Sequence, residues 1–271
     1  MNVILEELLA GAFPVLLTLG LVLFYEWVRR ANGWFLGIAF LLGPITLTPY
    51  WISIHQWGLF EWAKLSTIVV TACVLLAVRA VNNPAHLGLD SGLKLLFALN
   101  ILEAVVVDFL LENAAGWMNA ITGLLLLVCL SRQAFVVDRQ GSTIDVLYPG
   151  ISRIWMMGFT FWNLTFIYNN YPIIVGHHIC VLGVPLLVGW KHPGRWFQAR
   201  IYLLAMDLIV LATFESALVP RFDTTSWYDP SVGWVISIGT LFFCVIGIGW
   251  QLHHRGQNSH VRAQEATVLN N

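Results

Sequence analysis

Long apolar runs separated by short polar breaks fill this chain. They fall at residues 8–28, 34–54, 61–81, 92–112, 116–136, 147–169, 172–190, 197–219 and 231–252. A helix needs about 20 apolar residues to cross the hydrocarbon core of a bilayer, and each run approaches that length. Only helices and closed barrels satisfy their own backbone hydrogen bonds in lipid. Barrel strands alternate polar and apolar over segments of about ten residues, and these runs do not alternate. The pattern predicts an all-α polytopic bundle of about nine transmembrane helices. Helix-stopping residues mark the breaks: Arg29-Arg30, Asn82-Asn83-Pro84, Asp138 to Ser142, Asn169 to Pro172, and Lys191 to Arg195. The break at Glu112 to Gly116 is short enough to make the fourth and fifth helices a tight hairpin. Residues 1–254 are expected to form one transmembrane domain, and residues 255–271 a disordered cytoplasmic tail.

Charge sets the orientation. Only 11% of residues are charged and 58% are hydrophobic, which leaves no stretch for a soluble domain. Loops expected on one side hold Arg29, Arg30, Arg79, Lys94, Arg132, Arg139, Lys191, Arg195, Arg200, Arg255 and Arg262, and the opposite side holds Lys64 and Arg221. That asymmetry predicts an external N-terminus and a cytoplasmic C-terminus. Tryptophan agrees, because all but Trp155 and Trp162 fall at expected bilayer interfaces, where Trp is enriched. Residues 1–10 carry Glu6 and Glu7 and no basic residue, so the first run is expected to be a retained helix rather than a secretory signal. A net charge of −1 gives no electrostatic case for nucleic acid.

Polar residues within the runs are the candidate chemistry. A charge in hydrocarbon costs roughly 3 kcal/mol on insertion scales, so such a residue should face the bundle interior, a partner or water. At about 1.5 Å per residue, Glu103 and Asp207 come out near the midplane. Lys64, Asp108, Asn163, His177, His178 and Glu215 come out in the outer third, and Arg153 toward the cytoplasm. This clustering suggests either a water-filled outer vestibule or a network of interhelical pairs, such as Lys64 with Glu61 or Asp108. Asn100 and Glu103 share a helix face, whereas Asp108 lies about 140° around from Glu103. Burial favours the protonated form of a carboxyl group, which makes Glu103 the first candidate for proton coupling. Trp155, Phe159, Trp162 and Phe166 form one aromatic stripe, suited to helix packing or to lining an organic-solute pocket.

His177 and His178 are adjacent, so on a helix they point about 100° apart, unlike the i, i+4 pair of helical zinc sites. The four cysteines form no CxxC pair. No metal and no cofactor is expected. Phosphate-loop, GxSxG and HExxH motifs are absent, as are a midplane lysine for a Schiff base and an arginine-rich voltage sensor.

Four segments carry a resemblance: Phe60-Glu-Trp-Ala-Lys64, Asn100-Ile-Leu-Glu-Ala-Val-Val-Val-Asp-Phe109, Trp117-Met-Asn-Ala-Ile-Thr-Gly123 and Phe161-Trp-Asn-Leu-Thr-Phe-Ile-Tyr-Asn169. From about residue 24 to 255 the chain resembles a family of bacterial multi-pass membrane proteins known only as a domain of unknown function. The chain has Val107 where that family often has a basic residue, and Glu61 where it often has His. The resemblance implies the same fold and points to Asn100, Glu103, Asp108, Trp162 and Asn163. It implies no chemistry. The expected setting is a bacterial inner membrane, with the lipid bilayer as partner, a small organic solute as ligand, and no preference for an oligomeric state. Three functions fit: a small-solute transporter or permease, an intramembrane enzyme acting on a lipid or isoprenoid through His177, His178 and outer carboxylates, and a non-catalytic membrane partner or sensor.

Overall fold

The computed structural model describes residues 2–81 and 88–269, with side chains over 12–81 and 88–249. The break at Asn82-Asn83-Pro84 lies outside the described residues, and the side chains of the expected tail, 255–271, do as well.

Nine helical rods make up the described chain. They are α1 (Asn2–Arg30), α2 (Gly33–Ile54), α3 (Leu59–Ala80), α4 (Leu89–Leu110), α5 (Ala114–Val128), α6 (Arg153–Asn170), α7 (Val175–Lys191), α8 (Trp196–Leu218) and α9 (Pro230–Leu269). Local chemistry explains several starts. Asn32, Asn113 and Ser152 each cap a helix by accepting a backbone N–H, from Trp34, Gly116 and Trp155 respectively. Inside α2 a π turn, Ile38–Leu42, lies just before Pro44, which has no N–H to continue the α ladder.

Each expected run overlaps a helix, but among the described residues six stretches are long and apolar enough to cross a membrane: Ala12–Arg30, Gly33–Ile54, Leu59–Ala80, Pro172–Lys191, Pro193–Arg221 and Pro230–Gly249. The other three rods depart for identifiable reasons. Helix α4 carries Asp90, Lys94, Glu103 and Asp108, α6 carries Arg153 and three asparagines, and α5 is 15 residues long.

The fifth and sixth expected runs are shorter than they read. Helix α5 stops at Val128, and α6 starts at Arg153. Between them a two-stranded antiparallel hairpin pairs β1 (Val136–Gln140) with β2 (Thr143–Leu147). Gly141 opens its two-residue loop at φ 57°, a conformation that costs glycine little. The expected runs touch this hairpin only at its ends, Val136 and Leu147, and the break expected at Asp138 to Ser142 falls on its turn.

Helix α8 is the axis of the bundle and packs against α1, α2, α3 and α7. Residues 196–205 are buried without interruption, as expected of a helix surrounded on all sides. Helices α4, α5, α6 and α9 form a second group, and α6 joins it to α7. The aromatic stripe on α6 is core: Trp155, Phe159, Trp162 and Phe166 are all buried. The Trp162 indole donates to the Asn119 carbonyl at 2.9 Å, and its ring lies so close to Gly123 that no Cβ fits there.

Contacts sort the loops onto two ends. At one end the Arg79 guanidinium, on α3, donates to the Val28 carbonyl of α1, and Asp145 of β2 meets Arg29 and Arg195. At the other, His55 reaches the Ala212 carbonyl, Tyr171 reaches Glu61, and Tyr168 reaches the Trp227 carbonyl.

Candidate functional site

A cavity of about 290 Å³ opens at the second of these ends. Its exposed rim includes Ile173 and Glu215, and its buried floor and walls include Leu65, Ala104, Asn163, Phe166, His178, Arg200 and Leu204. Helix α8 supplies one long wall: Arg200, Leu204, Leu208, Leu211, Ala212 and Glu215 recur at three- and four-residue intervals. Helices α3, α4, α6 and α7 complete it. This size lies at the lower edge of small-molecule sites, which run roughly 300–1,000 Å³.

The polar residues expected to act together fall into three separate groups. Lys64, Asn163, His178 and Glu215 line the cavity. Glu103 lies behind Lys64 and 3.5 Å from its ammonium, and accepts a bond from the Thr67 hydroxyl at 3.1 Å. Lys64 also donates to the Asn100 carbonyl at 2.9 Å. The expected pairing of Lys64 with Glu61 or Asp108 is therefore replaced by one with Glu103, because α3 and α4 pack side by side at this level. Asn100 is buried, but its side-chain amide nitrogen does not bond Glu103 and has no described protein partner.

Asp108 belongs to a second group. It is fully buried and takes amide bonds from Asn119 at 2.7 Å and Asn170 at 2.9 Å, which tie α4 to α5 and α6. Trp162 packs against this group and not the cavity. The third group is His177 with Asp207, joined by a bond of 2.5 Å between α7 and α8. The adjacent histidines thus diverge. His178 turns to the cavity, with its Nδ1 3.3 Å from the Ile174 carbonyl. Among the described residues no cluster of three or more metal-ligating side chains is present.

The rim has its own ion pair. The His55 Nδ1 lies 2.8 Å from the Glu215 carboxylate, and its Nε2 lies 2.7 Å from the Ala212 carbonyl. Both ring nitrogens thus face acceptors. Trp57 stacks on this ring at 4.2 Å and forms part of the cavity wall.

Sequence reasoning missed Arg200. Its position near the start of the eighth run had placed it among the inner-side loop charges, yet it is 4% exposed and lines the cavity. The basic asymmetry becomes ten against two without it. A polar residue one turn inside a run boundary was the available signal.

Comparison with known families matches residues 7–266 to the family of unknown function DUF5692, and the chain belongs to it. No curated protein and no solved structure matches the chain.

Proposed function

We propose that the chain crosses a membrane nine times and uses this cavity as the outward-facing binding site of a small-solute transporter. The observation that carries the reading is the cavity itself, in which Lys64, Arg200, Asn163 and His178 converge among apolar walls. Ionisable groups at such depth are costly, and they mark solute or proton pathways in membrane bundles. Helix α6 is largely buried and crosses inside the bundle, whereas α4 and α5 cross at its side, with Leu95, Leu110, Trp117 and Val128 turned outward. Their polar groups are met by neighbours, as Asp108 is by Asn119 and Asn170. The basic asymmetry puts the hairpin end in the cytoplasm and the cavity mouth outside. A bacterial inner membrane suits this short-looped architecture.

Glu103 is the proton-coupling candidate. Its neutral, nearly isosteric replacement Glu103→Gln keeps a bond to Thr67 and removes both the titration and the ion pair with Lys64. In proteoliposomes loaded with small organic solutes, pH-driven uptake should fall by at least tenfold in this variant while solute exchange without a gradient persists. Unchanged pH-driven uptake would remove Glu103 from the mechanism.

A further inference from the structure

The cavity holds a cation that the bundle leaves unsatisfied. A guanidinium carries five N–H donors. One Nη2 hydrogen of Arg200 reaches the Asn163 Oδ1 at 3.4 Å, whereas its Nε and Nη1 have no described protein acceptor. The Phe159 ring, 5.8 Å from Cζ, adds a cation–π contact. No described carboxylate forms an ion pair with Arg200. Asp207, two turns along α8, acts on it through space; its Oδ1 is bonded to His177 and its Oδ2 has no described donor, so it does not contact Arg200. Lys64, the other cavity cation, has Glu103 and the Asn100 carbonyl, and its charge adds to that of Arg200.

A buried cation that no carboxylate contacts is expensive, and replacing buried charges by apolar groups is often neutral or stabilising. Its retention at the floor of a cavity has a direct explanation if a ligand brings the missing charge. Carboxylate and phosphate groups match the guanidinium fork with two parallel bonds. Around that point the wall is apolar, with Phe166, Ile167, Leu204 and Leu208 between floor and rim. The rim carboxylates do not compete for Arg200, because Glu61 is held by Tyr171 and Glu215 by His55.

We infer that the cavity binds a small amphiphilic organic anion, its carboxylate or phosphate head on the Arg200 guanidinium and its apolar body along Phe166, Ile167, Leu204 and Leu208. This rests on the reading of the cavity as a solute site and adds the chemical class of the solute.

The test is the melting temperature of the full-length protein in neutral detergent, titrated with hexanoate, hexyl phosphate, hexanol, hexylammonium and inorganic phosphate. Hexanoate or hexyl phosphate should raise it saturably, with half-saturation at least tenfold below that of hexanol or hexylammonium. Arg200→Met should raise the melting temperature of the ligand-free protein and weaken the anion response at least tenfold. Asn163→Asp, which sets a carboxylate beside Arg200 without changing shape, should also abolish the response, and it decides the matter if Arg200→Met does not fold. Chain-length series of both anions separate two sources. Affinity that climbs through myristate marks a bilayer lipid, and affinity that falls beyond six carbons marks a water-borne solute. Hexanol acting as well as hexanoate would overturn the anion assignment and leave the solute site standing. Inorganic phosphate matching hexyl phosphate would overturn the apolar body. An undiminished anion response in either variant would overturn the role of Arg200. No response to any probe would overturn the solute site as well.

Discussion

At the scale of single residues, two deeply buried charges, Asp145 and Arg200, are the hardest to read in one dimension. Asp145 is 1% exposed on β2, and takes bonds from Arg29 at 2.8 and 2.9 Å and from Gln198 at 2.9 Å, with Arg195 at 3.0 Å. Burial alone would raise its pKa, but the bonds from Arg29 and Gln198 and the charges of Arg29 and Arg195 outweigh it and hold the carboxyl below the usual range. A depressed folded-state pKa gives stability that is fully present above the unfolded value, near 3.9, and is lost as pH falls through the folded one. Asp145→Asn leaves the half-buried Arg195 without a described counter-ion and the buried Arg29 with Glu26 alone, and breaking these buried pairs should cost about 3–5 kcal/mol. Denaturant unfolding of the detergent-solubilised protein checks this, and the variant should also show a shallower loss of stability below about pH 4. A cost within about 0.5 kcal/mol, the range of ordinary surface substitutions, would contradict the account. Neither Asp145 nor Arg200 stands out in sequence, since both sit at run boundaries where charges ordinarily face water. Glu103, Asp108 and Lys64 did stand out, because they interrupt apolar runs. Their partners did not, because Thr67, Asn119 and Asn170 lie on other rods or loops.

At the scale of elements, apolar run length carried most of the information. It located nine rods, since the cost of an unpaired backbone leaves helix as the economical choice for such runs. It overran the helix ends at 129–136 and 147–152 and did not foresee the hairpin between them, where Val and Ile favour strands and a Gly-Ser turn sets a two-residue loop. The α4–α5 hairpin follows from its short turn, Leu111 to Asn113, and from a close approach that only glycine permits. A Cβ on Gly116 would collide with the Asp108 carbonyl oxygen and crowd Leu111. Because the first obstacle is backbone, Gly116→Ala has to move one helix against the other and should destabilise by about 1–3 kcal/mol. Thermal unfolding measures that loss. Its absence would show that the two helices are not packed this tightly.

At the scale of the whole molecule, the bundle divides its polar groups by purpose. The hairpin end is tied by Asp145 and by Arg79 on the carbonyls of α1, and the opposite end is tied by Asp108 and the His177–Asp207 pair. Between them the cavity along α8 is lined by Lys64 and Arg200. The sequence leads one to expect polar residues to gather in the outer half of the bundle. It could not foresee which of them share a cavity, because that depends on how α3, α6, α7 and α8 rotate about their own axes. The central claim is that this cavity is wet and faces outward. Leu211→Cys places a thiol on its half-buried wall in a protein whose native cysteines have been replaced by alanine. In sealed cells, a membrane-impermeant thiol reagent added outside should modify that cysteine, and hexanoate should slow the reaction. Labelling only after the membrane is opened, or none at all, would contradict the account.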